Sequence, residues 1–246
     1  MVHTPATTAS AAWLDDVHPP DVSKLVTEDD SPVDNIFSER QMSLLVSSLY
    51  SGFTPTLDGV PRPFLALANV GIFATAKEPP VVPHVLLSLD VEPPTDPVAK
   101  ETRSYFVWEF GKFPDVVIEI VSNREGGELS NKRRRYAKNR IVNYVVFDPF
   151  HSLSDTTLQV FRLGGDLYVP NRTCEFEGIG LGLTLWTGEW QGMHATWLRW
   201  VDSQGKLIPT SPERADAEPE RADAERERAS RLADKLRALG IDPDAP

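Results

Sequence analysis

The chain has 246 residues, of which 41% are hydrophobic, enough for one core domain of about 150–200 residues with shorter appendages. Its single cysteine excludes an internal disulfide and a cysteine-based zinc site. A net charge of −11 argues against non-specific nucleic-acid binding, although most of that negative charge lies in residues 1–40 and 212–246, outside the body of the chain. Apolar runs fall short of the roughly 20 residues that span a bilayer, and the N-terminus has no secretory pattern. We therefore expect a cytoplasmic protein with no membrane partner.

Three regions follow one another along the chain. Residues 1–37 are rich in Pro, Asp, Ser and Thr without a sustained period, which predicts an extended or partly disordered arm. Residues 38–211 have the pattern of a folded domain, and residues 212–246 form a charged tail. In the first part of the domain we predict a helix from Ser38 to about Gly52, strands over 64–74 and 81–91, and a short strand or turn over 104–110.

A strand–helix–strand pattern occupies the middle of the domain. The predicted elements are a strand over 116–121, a helix over 129–139 and a strand over 144–148. This order predicts an α/β (α+β) fold with a mixed β-sheet. Two hairpins are predicted after it, one joining 157–163 to 167–169 and one turning at Thr187-Gly188.

The tail repeats with a period of seven, with Ala215, Ala222, Ala229 and Leu236 in equivalent positions. Because Pro219 interrupts the first turns, we predict a helix from about Glu220 to Leu239 with Gly240 as its C-cap. Two convincing heptads are fewer than a coiled coil normally shows. The tail is expected either to self-associate as a coiled coil or to pack on the body.

One acidic residue, Glu119, lies within the apolar strand 116–121. A carboxylate in such a run is costly unless it is paired or bound to a cation. Since side chains alternate along a strand, Asp115 is expected on the same face as Glu119. Glu119 is therefore either a metal ligand or half of a buried ion pair with Lys132 or an arginine, and Asp115 is either a second ligand or a strand-entry residue after Pro114.

Basic residues concentrate in the helix that follows, and an acidic strand beside a lysine suggests metal-assisted attack on a phosphate. Lys132 could contact a phosphate or lie on a solvated helix face. The same two alternatives apply to the neighbouring cations, which would give salt-sensitive contacts to DNA phosphates: Arg133, Arg134, Arg135 and Lys138.

Three segments together carry a family resemblance: Pro114 to Ser122, then Lys132 with Tyr136, then Asn143 to Pro149. Over roughly residues 40–200 the chain resembles the Uma-type restriction endonucleases of bacteria, members of the PD-(D/E)XK nuclease superfamily, and the tail resembles tails of that family. The resemblance implies a restriction-endonuclease-like mixed sheet flanked by helices, a divalent cation such as Mg²⁺ or Mn²⁺, and DNA as the partner.

The resemblance also implies a site with one departure. Glu119 matches the family's Glu and Lys132 its Lys, whereas the family's Asp is replaced by His84 in the segment Val82-Pro83-His84-Val85. Imidazole suits transition metals better than Mg²⁺. His84 is thus either a catalytic metal ligand beside Glu119 or a core histidine with no ligand role.

Two functions remain open from the sequence, with the balance towards an enzyme. The first is a divalent-metal-dependent DNA endonuclease that hydrolyses phosphodiester bonds, which could act as a homodimer joined through the domain or the C-terminal helix. The second is a catalytically weakened protein of the same fold that binds DNA or assembles with a partner, because His84 stands where Asp is expected.

Overall fold

The computed structural model describes residues 20–22, 25, 35–96, 98–122 and 128–238. Most of the predicted N-terminal arm and the predicted Gly240 cap lie outside the described residues. The four α-helices are α1 (Ile36–Gly52), α2 (Val107–Phe110), α3 (Arg133–Lys138) and α4 (Ser211–Ala238). A 3-10 turn covers Lys100–Thr102, and a π-helical turn, Glu128–Lys132, leads into α3.

Thirteen strands are present in the described part of the chain. They are β1 (Thr56–Leu57), β2 (Val60–Pro61), β3 (Phe64–Ala68), β4 (Ile72–Phe73), β5 (Val85–Leu89), β6 (Tyr105–Phe106), β7 (Val116–Ile120), β8 (Asn143–Phe147), β9 (Leu158–Gly164), β10 (Leu167–Pro170), β11 (Glu175–Phe176), β12 (Leu181–Trp190) and β13 (Met193–Asp202).

A six-stranded mixed sheet forms the centre of the fold, in the order β10-β9-β8-β7-β5-β3. β7 and β8 are parallel and the other neighbours are antiparallel. The strand–helix–strand pattern explains this arrangement, because the π-helical turn and α3 carry the chain from β7 back to the start of β8. The predicted mixed sheet flanked by helices is confirmed.

The central sheet is covered on both faces. One face packs against α1 and against the small sheet β11-β12-β13, through residues such as Ile118, Leu45 and Trp200. The other face packs under α3 and the segment that carries β6, through Val117, Val121 and Tyr136. Because β7 is buried on both faces, its sequence is an almost continuous apolar run.

Helix α1 also seals two sheet edges. The Tyr50 hydroxyl accepts the Ala66 N–H at 3.0 Å and donates to the Ala66 carbonyl at 3.2 Å on the outer edge of β3. The Gln41 amide bonds both backbone groups of Leu198 in β13, at 2.8 and 2.9 Å. These side chains satisfy backbone groups that a neighbouring strand would otherwise bind, which is how sheet proteins avoid edge-to-edge association.

Several predicted boundaries are wrong. The predicted strand over 64–74 is two strands, β3 and β4, and the predicted strand over 81–91 is only β5. The predicted turn at Thr187-Gly188 lies inside β12, and the chain turns instead at Gln191 and Gly192, which have φ of 46° and 79°. Gln191 and Gly192, unlike Thr187 and Gly188, have the left-handed backbone that a two-residue hairpin turn requires.

The tail helix begins nine residues before the predicted start at Glu220, because Ser211 follows an N-terminal cap at Thr210. Pro219 is accommodated inside α4. The described side chains between Ser211 and Pro219 are exposed, and α4 contacts α1 near its beginning, where Arg214 donates to the Ser51 carbonyl. No helix in the described ranges is long and apolar enough to cross a membrane.

Candidate functional site

The strand register brings His84 to Glu119. Val85 of β5 pairs with Ile118 of β7 in an antiparallel ladder, so the preceding residue, His84, lies directly opposite Glu119. Opposite residues of an antiparallel pair project from the same face, with Cβ atoms about 5 Å apart. The His84 Nδ1 atom is 2.7 Å from the Glu119 Oε2 atom.

Lys132 reaches the same carboxylate from the π-helical turn that precedes α3. Its Nζ atom donates to Glu119 Oε2 and to the Val82 carbonyl oxygen, both at 2.9 Å. The ammonium thus connects the segment before β5 with the middle of β7. Glu119, His84 and Lys132, which we call the Glu119 cluster, are brought together as the sequence predicted.

Tyr136 completes the surroundings of the carboxylate. Its hydroxyl donates to Glu119 Oε1 at 2.6 Å, and both side chains are fully buried. Burial alone would raise the pKa of Glu119, but the bond with His84, the charge of Lys132 and the bond with Tyr136 together lower it below its ordinary value. The carboxylate is therefore ionised at neutral pH.

His84 has two hydrogen-bonding partners at one ring nitrogen. Besides the carboxylate, the backbone N–H of Ile120 lies 3.2 Å from Nδ1. A protonated Nδ1 donates to Glu119, whereas an unprotonated Nδ1 accepts from Ile120. Since Glu119 is ionised and the distance to it is shorter, we assign the proton to Nδ1.

Asp115 is not part of the Glu119 cluster. Its carboxylate accepts from Lys112 Nζ at 2.7 and 2.9 Å and from the Leu89 N–H at 2.8 Å. Four residues along a strand separate Asp115 from Glu119, a distance of about 13 Å. Face alternation alone did not reveal this separation; the spacing of Lys112 and Asp115, three residues apart, was the available signal for the alternative partner.

The predicted DNA-contacting residues have mixed surroundings. Arg133 donates to the Tyr168 carbonyl and stacks 4.6 Å from the Phe161 ring centroid, which ties it to the edge strand β10. Arg135 donates to the Pro79 carbonyl. Arg134 and Lys138 are exposed on α3, where Lys138 pairs with Glu78 at 2.8 Å.

The donor set decides which ion suits the cluster. No group of three or more His, Cys, Asp or Glu side chains within the described ranges is arranged to hold a metal. Glu119 and His84 supply one carboxylate and one imidazole, a pair that fits Mn²⁺ or a similar transition ion in kind and gives Mg²⁺ one oxygen ligand fewer than the family's Asp would. Water and phosphate oxygens would have to complete the coordination.

A mixed sheet flanked by helices, with Glu119 of β7 beside Lys132 of the π-helical turn before α3, is consistent with a restriction-endonuclease-like fold. Residues 37–185, more than half of the chain, match the family model Uma2, described as putative restriction endonuclease. The chain therefore belongs to the Uma2 family. Searches of curated proteins and of solved structures gave no match.

Proposed function

We propose that this chain is a DNA endonuclease that hydrolyses phosphodiester bonds at the Glu119 cluster with the help of a divalent cation. One observation carries the proposal: an ionised, fully buried carboxylate lies 2.9 Å from a lysine ammonium and 2.7 Å from an imidazole. His84 and Lys132 side chains keep 13% and 24% of their surface exposed, so the cluster has an opening towards solvent.

Each residue has a distinct part in this proposal. Glu119 and His84 would hold the cation in place of the hydrogen bond that joins them, and the cation would supply a Lewis acid for the phosphate and a more acidic bound water. Lys132 would leave Glu119 for the phosphate and neutralise the charge that develops there. Asp115 would not bind the cation. Its part would be structural, through its ion pair with Lys112 at the opposite end of β7.

DNA would be held by the surface around α3. Arg134 and Lys138 are the exposed cations of that helix, and Arg133 and Arg135 lie beside them. These contacts would be salt-sensitive and independent of sequence. Nucleases that cut both strands often pair, so we further propose that two copies associate, through the domain or through a coiled coil of α4.

Cleavage should depend on Glu119. We expect Glu119→Gln to lower the rate of plasmid cleavage in Mn²⁺ by about 100-fold or more, because the neutral amide cannot hold the cation. The measurement is a time course of supercoiled DNA in Mn²⁺ and in Mg²⁺. Glu189→Gln, on the exposed tip of β12, is the matched control and should cleave as the wild type does. Equal cleavage by the two variants would contradict the proposal.

A second candidate is a catalytically weakened protein of the same fold that binds DNA or assembles with a partner. The observation that favours it is the direct bond between His84 and Glu119, which uses an oxygen that the family's Asp would leave to a cation. Here we expect His84→Asp to create cleavage in Mg²⁺ where the wild type has little. Robust wild-type cleavage in Mn²⁺ that His84→Asp reduces would favour the first candidate instead.

A further inference from the structure

The two oxygens of Glu119 have separate partners. Oε2 lies at His84 and Lys132, while Oε1 accepts the Tyr136 hydroxyl at 2.6 Å. That distance is typical of a charge-assisted bond between a hydroxyl and a carboxylate. An ionised carboxylate oxygen can only accept, so the Tyr136 hydroxyl is the donor in this bond.

Helical spacing explains why both partners reach one carboxylate. Lys132 and Tyr136 are four residues apart, at the junction of the π-helical turn and α3, and therefore lie on the same helix face. The Tyr136 ring is fixed from behind by Tyr144, whose ring centroid is 5.4 Å away and which contacts Tyr168 at the same distance. A fully buried, packed ring gives its hydroxyl one position.

We infer that Tyr136 is a positioning residue that reserves Oε1 of Glu119 and thereby presents Oε2 to the cation. This inference rests on the proposed function and assigns a part in it to a residue that touches no reacting atom. Partners that orient a metal-binding side chain in this way typically contribute about 10–100-fold to metal affinity or activity.

Tyr168 supplies the matched control. It belongs to the same aromatic cluster, is 5% exposed, and its hydroxyl donates to the Ile141 carbonyl at 2.6 Å, a contact with no connection to Glu119. Tyr136→Phe and Tyr168→Phe each delete one buried hydroxyl from one ring. A purely structural contribution predicts that both variants lose stability and that neither changes the Mn²⁺ requirement.

The experiment measures the Mn²⁺ concentration that gives half-maximal cleavage, kcat, and KM for DNA, together with Mn²⁺ binding to the full chain by calorimetry. We expect Tyr136→Phe to raise the half-maximal Mn²⁺ concentration and to weaken Mn²⁺ binding by about 10-fold or more, with KM for DNA unchanged. Tyr168→Phe should match the wild type in all four quantities.

Two results would overturn the inference in distinguishable ways. If the wild type binds Mn²⁺ or cleaves DNA and Tyr136→Phe behaves as Tyr168→Phe does, the positioning role is wrong while the proposed function stands. If the wild type neither binds Mn²⁺ nor cleaves DNA, the proposed function fails, and the positioning role fails with it.

Discussion

Replacing Lys132 by methionine should destabilise the folded chain by about 3 kcal/mol at neutral pH, the lower end of the cost of breaking a buried ion pair. Glu119 is fully buried, and Lys132 is its charged partner at 2.9 Å. Methionine preserves most of the apolar stem but leaves the carboxylate without its ammonium. We take the lower end because the Lys132 side chain is 24% exposed, so that water can partly replace it.

The loss of stability in Lys132→Met should become smaller as the pH falls. In the wild type the folded-state pKa of Glu119 is lowered, so its charge contributes stability above the unfolded value of 4.5 and loses it as the pH falls through the folded-state pKa. In Lys132→Met we expect burial to outweigh the remaining bonds with His84 and Tyr136 and to raise that pKa. The variant then takes up a proton at Glu119 on folding, so the stability difference should shrink from pH 8 to pH 5.

Lys138→Met, in the helix α3 that follows Lys132, is the matched control. Lys138 pairs with Glu78 at 2.8 Å, but the two side chains are 68% and 50% exposed, and solvent-exposed pairs contribute little to stability. Urea unfolding of both variants at pH 5 and pH 8 tests the contrast. The double variant Lys132→Met, Glu119→Gln should recover part of the loss, because no unpaired charge remains. Equal losses for Lys132→Met and Lys138→Met would show that burial of Glu119 is already compensated by His84 and Tyr136.

The proximity of Glu119, His84 and Lys132 could be predicted because each of the three positions can be recognised in the sequence. Glu119 interrupts an apolar strand, and the family resemblance assigns the other two positions. Two-residue periodicity then places Glu119 on the face that packs under α3. What the sequence could not supply was the antiparallel register of β5 and β7, which places His84 opposite Glu119.

Contacts that depend on non-local geometry were missed. The contact of the Tyr136 hydroxyl with Glu119 could not be predicted, since only the tertiary position of α3 decides what that side chain meets. The sequence predicts a hairpin shorter than that of β12 and β13, because Thr187-Gly188 resembles a turn. In the structure Gly188 is needed within the strand, since a Cβ there would lie 2.2 Å from the Trp186 ring.

The start of the tail helix was misplaced for a similar reason. Pro219 predicts a helix boundary from the sequence, yet a proline weakens a helix only locally. A stronger signal was the sequence Thr210-Ser211-Pro212-Glu213, a capping box in which the Thr210 N–H donates to Glu213 Oε2 at 2.8 Å. That box is anchored by an arginine from β13, a partner that no local pattern reveals.

Arg199 ties the start of α4 to β13, and breaking its ion pair with Glu213 should have the second large effect on stability. The guanidinium is 2% exposed and donates to both Glu213 oxygens, at 2.6 and 2.7 Å. It also donates to the Ile208 carbonyl and lies 4.9 Å from the Trp186 ring centroid. Glu213→Ala therefore leaves a nearly buried cation with only a carbonyl and a ring as partners.

We expect Glu213→Ala to cost about 2–3 kcal/mol, less than a fully buried pair because the Glu213 side chain is 42% exposed. Burial raises the pKa of Glu213, but the bonds from Arg199 and Thr210 outweigh it and lower the pKa below its ordinary 4.5. Its contribution is thus present above pH 4.5 and lost as the pH falls through the folded-state value. The difference between variant and wild type should accordingly shrink in acid.

Glu218→Ala, at an exposed position of the same helix, is the control and should change stability by no more than about 0.5 kcal/mol. Urea unfolding at pH 7 and pH 4 gives the free energies, and circular dichroism reports loss of the first turns of α4. The double variant Arg199→Met, Glu213→Ala should be more stable than Glu213→Ala, since the unpaired guanidinium is gone. If instead Glu213→Ala unfolds as Glu218→Ala does, then the helix is held by its contacts with α1, and the bond between Arg199 and Glu213 stabilises nothing.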